Sequence, residues 1–229
     1  MRRLGFLLCV LARLTAAQSP AATTALSPFA AAKARTLMAN RLSCLGCHTL
    51  DGVGGRVGPD LSTVSARRTP EYVAAIIDDP QGVVPGTSMP RIPMTPELRA
   101  LVVTALTGAR VIPASRMPRS TDTEQGASGA RLYGRYCVAC HGSSGGGNGP
   151  NARFLPVAPA VHRDARTMSA RTDDRLFDAI YGGGYPLGRS AAMPAFGATL
   201  TRDEIWTLVQ YLRTLCGCKP PAWSTDGAR

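Results

Sequence analysis

Apolar residues recur at helical spacing in three segments of the N-terminal part of the chain. The first is an alanine-rich stretch at residues 29–42, which predicts a helix. The second is EYVAAII, which follows Thr69 as a candidate N-cap and Pro70 as a candidate first helical residue. The third spans residues 96–106 and is followed by Gly108, a residue typical of helix ends.

The C-terminal part repeats this order of elements. GARLYGRY at residues 129–136 predicts a helix, and a second helix should begin after Thr172 and end at the glycine run 182–184. A last helix should begin after Thr201, because Glu204 three residues later completes a capping box. Its apolar positions fall on one face and are Ile205, Leu208, Val209 and Leu212. The repeated order predicts two similar, mostly helical domains.

The first 17 residues have the pattern of a secretory signal. Two arginines precede a nine-residue apolar core from Leu4 to Ala12, and small residues precede a cleavage site after Ala17. The alternative is an uncleaved anchor, which needs roughly 20 apolar residues, whereas Arg13 interrupts this run. We therefore expect a periplasmic protein with no transmembrane segment in the mature chain, and peripheral association with a membrane complex stays open.

The charge and composition narrow the classes of partner. The formal net charge is +11, and +8 remains without the three arginines of the signal segment. Nucleic acid is not expected as a partner, because the protein should be exported and its arginines are scattered. Acidic protein partners or an internal anionic cofactor fit better. Two domains of about 90 residues would have thin cores, so a non-protein group should help to fill them.

Two copies of the pattern C-x-x-C-H stand at residues 44–48 and 137–141. Two thiols on one helical turn can form thioethers to the two vinyl groups of a haem, and the following imidazole then points at the iron. A thioredoxin-type redox pair and a zinc site with four ligands are alternatives that leave the repeated histidine unexplained. We predict two covalently bound haem c groups, attached through Cys44, Cys47, Cys137 and Cys140, with His48 and His141 as iron ligands.

A glycine-rich loop follows each of these motifs, at residues 52–61 and 142–150. Neither loop follows a predicted strand or ends in the Lys-Ser/Thr of a phosphate-binding loop. We expect the glycines to let the backbone wrap tightly beside a flat ligand.

This duplicated order resembles the tandem diheme members of the class I c-type cytochromes. The shared motifs are C-x-x-C-H, a Gly-Pro after it, and Met-Pro before a final helix. The resemblance implies an all-α fold of two small helical bundles, each around one haem. It also implies that Pro59 and Pro150 lie in loops whose backbone carbonyl orients each ligand histidine. The expected divisions are a signal peptide at 1–17, domains at 28–108 and 126–216, a linker at 109–125 and a tail at 217–229.

The position opposite each histidine decides what such an iron can do. An open position allows gas or peroxide chemistry, whereas His/Met ligation raises the potential and favours electron transfer. Met193 lies 52 residues after His141 and Met89 lies 41 residues after His48, and a proline follows each methionine. We therefore predict Met89 and Met193 as the second iron ligands.

Three other residues are alternatives for these positions. Met94 lacks a following proline and precedes a predicted N-cap, where a hydrophobic contact is expected. His162 stands just before the charged stretch RDAR and is expected to be a surface or hydrogen-bonding residue. Met168 is expected to pack in the core.

These features predict an exported diheme electron carrier and not an enzyme. It would be a soluble shuttle or the electron-transfer subunit of a dehydrogenase or terminal oxidase complex, with weak electrostatic docking to redox partners. The alternative is a diheme enzyme of peroxidase or thiosulfate-oxidising type with one catalytic haem. Cys216 and Cys218 could form a local disulfide, bridge two chains, bind a metal or stay reduced, and the local disulfide is the expected state.

Overall fold

The computed structural model describes residues 25–109 and 128–224 of the 229-residue chain. We call these ranges the N-terminal half and the C-terminal half. They contain ten α-helices and one two-stranded hairpin, which confirms the predicted all-α class. No helix within these ranges combines the length and hydrophobicity needed to cross a bilayer. The predicted signal peptide and nearly all of the predicted linker lie outside the described residues.

The three main helices of the N-terminal half begin with hydroxyl caps, of which Thr69 and Thr95 were predicted and Ser27 was not. Ser27, Thr69 and Thr95 each accept a backbone N–H through the side-chain hydroxyl, and proline follows each of them as the first helical residue. Gly108, in the left-handed conformation, ends the last of these helices. The elements are α1 (Pro28–Asn40), α2 (Cys44–Cys47), β1 (Thr49–Leu50), β2 (Val53–Gly54), α3 (Pro70–Asp78), α4 (Pro80–Val83) and α5 (Pro96–Thr107).

One hydrophobic core fills this half. Helix α5 packs against both α1 and α3, so the three longest helices enclose it. Its buried members are Ala34, Met38, Leu42, Leu50, Val64, Val73, Ala74, Ile77, Val102 and Val103. Leu50 of the hairpin belongs to this core and Cys44 and Leu45 of α2 pack against it, so the first C-x-x-C-H motif adjoins the core.

The C-terminal half is built around its last helix. The predicted capping box is present, because Thr201 and Glu204 each accept a backbone N–H from the other residue. This helix packs against the first helix of the half, where the absence of a side chain at Gly129 allows Thr207 and Tyr211 to approach closely. The helices are α6 (Gly129–Tyr136), α7 (Val138–His141), α8 (Ala165–Ser169), α9 (Asp173–Gly182) and α10 (Arg202–Cys216).

The hydrophobic core of this half lies between α6, α9 and α10. It includes Met168, which is fully buried and packs as predicted. The buried apolar face of α10 contains all four predicted positions, Ile205, Leu208, Val209 and Leu212. After α10, Cys216 and Cys218 are joined by the expected local disulfide.

Candidate functional site

The first C-x-x-C-H motif folds as a single helical turn. Ser43, in the left-handed conformation, turns the chain into α2, and the two cysteines of the turn are partly buried and not joined to each other. Burial raises the pKa of the Cys44 thiol to about 11. Burial, and then the nearby Cys140 and Cys44, raise the pKa of Cys47 to about 12.

His48 follows this turn and is held in one orientation. Its Nδ1 lies 2.8 Å from the carbonyl oxygen of Pro59. A carbonyl only accepts, so Nδ1 carries the proton and Nε2 keeps a lone pair for a metal. Burial lowers the pKa of His48, which favours the neutral, metal-binding form. The predicted role of Pro59 thus matches the structure.

The second motif has the same design with a different carbonyl. His141 ends α7, and its Nδ1 lies 3.0 Å from the carbonyl oxygen of Ala160. The expectation that the Pro150 loop supplies this carbonyl is wrong. We call the two C-x-x-C-H turns, residues 44–48 and 137–141, the attachment turns. The loop at Pro150 is hydrogen-bonded to the second of these turns. The carbonyl that His141 contacts belongs to a residue ten positions after Pro150. Burial lowers the pKa of His141 as well.

The glycine loops bind the backbone of the two attachment turns. In the C-terminal half, the N–H groups of Gly147, Gly149 and Asn151 donate to the carbonyls of His141, Cys140 and Ala139, at 2.8, 3.0 and 2.9 Å. In the N-terminal half, Gly55 and Gly58 donate to Leu45 and Cys47 at 2.9 and 2.8 Å. These bonds satisfy carbonyls that a one-turn helix leaves unpaired. The tight wrap of the backbone is present, and its position beside a flat ligand stays a prediction.

A cavity of about 290 Å³ lies in the C-terminal half and brings four predicted site residues together. Its lining includes Cys137, Cys140, His141 and Met193, with mostly apolar side chains between them. The carbonyl of Met193 accepts a hydrogen bond from the Gly184 N–H, and its N–H donates to the carbonyl of Ser190. These bonds fix the backbone of the loop that carries the thioether.

His162 lines the same cavity and is buried, in contrast to the expected surface position. Its ring stacks on that of His141, so it lies beside this histidine and not across the cavity from it. Its Nδ1 is 3.0 Å from the hydroxyl of Tyr133, which matches the other expectation, a hydrogen-bonding role. Burial, and then His141 and Arg171, lower the pKa of His162 to about 2.

In the N-terminal half, Met89 and Met94 are both partly buried and pack against the same hydrophobic core. Only Met89 has its backbone held by a buried side chain, because Nε2 of Gln81 donates to its carbonyl at 2.7 Å. The choice of Met89 over Met94 as an iron ligand stays a prediction.

Three arginines line the cavity of the C-terminal half and were not predicted as site residues: Arg171, Arg175 and Arg189. Burial, followed by the charges of Arg189 and Arg175, lowers the pKa of Arg171. These guanidinium groups favour an anionic group in the cavity. They escaped sequence analysis because they lie far from the C-x-x-C-H motif and follow no pattern.

The residues of this site fit a covalently attached haem. Paired thiols and an imidazole with a free Nε2 are the groups that haem c attachment requires. A thioether on the cavity wall offers a second iron ligand, and the arginines offer counter-charges for the two propionates.

Comparison with family models identifies cytochrome c domains in both parts of the chain. Residues 31–102 match the cytochrome c family model, and residues 124–212 match the model of cytochrome c oxidase, cbb3-type, subunit III. A chain of a reducing HAO-like protein complex from Kuenenia stuttgartiensis has 24% identity, covering 64% of this chain and 72% of that chain, with a TM-score of 0.33. Comparison with curated proteins gave no match.

Proposed function

Because the chain belongs to the c-type cytochromes and carries two cytochrome c domains in tandem, we propose that it passes single electrons between redox proteins through two haem c groups, one in each half. The observation that carries the proposal is the repeated attachment turn. In each half, a partly buried imidazole follows two unpaired thiols and has its Nδ1 bound to a backbone carbonyl.

When bound, the haem supplies an iron that accepts and releases one electron. His48 and Met89 would hold the iron in the N-terminal half, and His141 and Met193 would hold the iron in the C-terminal half. Each histidine would bind through Nε2. The mostly apolar side chains that line the C-terminal cavity would limit the access of solvent to the iron and so help to set its potential. With each iron held by a histidine and a methionine, neither site would offer a place for a substrate, and the chain is a carrier in this proposal.

The disulfide between Cys216 and Cys218 weighs against an enzyme of the thiosulfate-oxidising type. Such an enzyme uses a cysteine thiolate as an iron ligand, and these two sulfurs are already bonded to each other. The four remaining described cysteines belong to the attachment turns.

We place this carrier in the periplasm, as an exported protein that docks on acidic surfaces of redox partners. The net charge of +8 that remains without the three arginines of the signal segment supports such docking. The family model that matches the C-terminal half is named for an oxidase subunit, which favours a role as an electron-transfer subunit over a free shuttle. N-terminal sequencing of the exported protein should begin at Gln18.

Visible spectroscopy of the purified holoprotein tests the proposal. We expect two haems per chain by pyridine haemochrome assay, and a weak far-red band from thioether ligation in the oxidised form. Met89→Ala and Met193→Ala should each remove part of this band, and Met94→Ala, the matched control, should leave it intact. A wild type that lacks the band and binds carbon monoxide readily when reduced would overturn the carrier model and favour a catalytic haem.

A further inference from the structure

The side chain of Asn151 crosses between the two halves of the chain. It is only 1% exposed, although asparagine is usually a surface residue. Its Oδ1 accepts a hydrogen bond from the backbone N–H of Arg56 at 2.8 Å, and its Nδ2 donates to the carbonyl of Gly46 at 2.6 Å. Gly46 lies within the first attachment turn. One buried amide therefore binds the N-terminal half at two points.

The same residue is bound to the second attachment turn. Its backbone N–H donates to the carbonyl of Ala139 at 2.9 Å, and its Nδ2 lies 3.4 Å from Sγ of Cys140. Asn151 thus contacts the residues between the cysteines in both motifs. The two attachment turns consequently face each other directly.

Two glycines of the N-terminal half make this close approach feasible. A side chain at Gly46 would collide with the backbone of Ala192, the residue before Met193. A Cβ at Gly55 would lie 2.5 Å from the carbonyl oxygen of Gly46 and 2.7 and 2.8 Å from the amide atoms of Asn151, the two groups that this contact joins. Both positions therefore need glycine for packing against the other half, in addition to any role within their own half.

We infer that Asn151 is a positioning residue that locks the two attachment turns together, so that an electron passes between the two haem sites inside one chain. One site loses one electron as the other gains it, and the exchange needs no proton or further reactant. The protein then passes electrons between its own two haem sites and does not act as two independent carriers. This inference rests on the proposed function for the presence of two haems, but the contact itself does not depend on it.

Another hydrogen bond between the halves lies away from the attachment turns and provides a control. The N–H of Arg91 donates to Oγ1 of Thr199 at 2.7 Å. Thr199→Val removes one bond between the halves and keeps Asn151 in place. This control distinguishes the effect of a hydrogen bond lost at the attachment turns from the effect of one lost elsewhere between the halves.

The test compares wild-type holoprotein with Asn151→Ala and Thr199→Val. Amide hydrogen exchange at Arg56, followed by NMR in the reduced state, reports the contact directly. We expect exchange to be roughly tenfold or more faster in Asn151→Ala, since a buried hydrogen-bonding group loses its partner. The rate of electron exchange between the sites, after photochemical injection of one electron, should fall by a similar factor. Thr199→Val should change neither quantity by more than about twofold.

Gly55→Ala provides a second route to the same contact, because it keeps Asn151 and displaces its amide. It should slow electron exchange as Asn151→Ala does, and it decides the matter if Asn151→Ala fails to fold. Unchanged electron exchange in both variants, with each potential unaltered, would overturn the inference. Wild-type protein with fewer than two haems per chain would instead contradict the proposed function, and Arg56 exchange would still test the contact.

Discussion

The imidazole rings of His141 and His162 are stacked, with 4.1 Å between their centroids and 15° between their planes. His162 therefore supports one side of the histidine that is predicted to bind the second iron. It is supported in turn by the hydroxyl of Tyr133, which is itself only 1% exposed. These three side chains form one packed unit in which only the ring of His141 is predicted to reach the iron.

Replacing His162 should destabilise this unit more than removing the Tyr133 hydroxyl does. His162→Ala leaves a cavity beside His141 and a buried hydroxyl without its partner, so the free energy of unfolding should fall by about 2–4 kcal/mol. Tyr133→Phe keeps all ring packing and should cost about 1 kcal/mol. Denaturant unfolding of the holoprotein, followed by circular dichroism, measures both. Equal losses in the two variants would contradict the packing role given to His162.

Gly58 touches the other ligand histidine. A Cβ at this position would lie 2.5 and 2.6 Å from Cε1 and Nδ1 of His48, so the ring would have to move. We expect Gly58→Ala to displace the imidazole and to lower the haem content of the purified protein from two per chain towards one, as measured by pyridine haemochrome assay.

The matched control for this substitution is Gly134→Ala. Gly134 lies in α6, and a Cβ there would meet no atom of another described element within 4 Å. Alanine at this position should leave the haem content unchanged and stabilise the protein by about 0.5–1 kcal/mol, because glycine is a poor helix residue. Full haem content in Gly58→Ala would show that the loop containing Gly58 does not constrain His48.

The fold was predictable where the signals are local. Thr69, Thr201 and Gly108 mark helix ends through bonds to residues three or four positions away, and the sequence displays such spacings directly. The hairpin and α4 were not predicted, because two-residue strands and single turns leave almost no periodic pattern.

The sites were predictable only in part, for a related reason. The attachment motifs are contiguous, but the groups that orient them come from distant loops. His48 meets its carbonyl 11 residues later, whereas His141 meets Ala160 after 19 residues. The amide of Asn151 binds Gly46, which lies 105 positions earlier in the chain. Nothing in a residue's own neighbourhood indicates a contact of that range.

Arg213 should be a major source of stability in the C-terminal half. Its guanidinium donates to the carbonyls of Met168 and Arg171 at 2.8 and 2.6 Å and to Oδ1 of Asp173 at 2.8 Å. The side chain is only 12% exposed. Arg213→Met keeps most of the volume but leaves these acceptors without their donor, and it should cost about 2–4 kcal/mol of unfolding free energy.

Arg202 on the same helix provides the comparison for Arg213. It is exposed and lies over the ring of Phe177, at 4.9 Å from its centroid. Arg202→Met should therefore cost less than about 1 kcal/mol. Thermal or denaturant unfolding measures both variants. Similar losses of unfolding free energy would show that the hydrogen bonds of Arg213 contribute no more to stability than the exposed Arg202 does.

The arginines of the C-terminal cavity should set the potential of the haem in that half. A positive charge near the iron favours the state with one more electron, so Arg171, Arg175 and Arg189 should all raise the reduction potential. Replacing any one of them with glutamine should lower the midpoint potential of one haem by roughly 20–70 mV and leave the other haem nearly unchanged.

The matched control is Arg166→Gln, at an exposed position of α8 outside the cavity lining. It should shift neither midpoint potential appreciably. Spectroelectrochemical titration resolves these changes. Equal shifts for cavity and control arginines would indicate a general surface-charge effect and contradict a haem in this cavity.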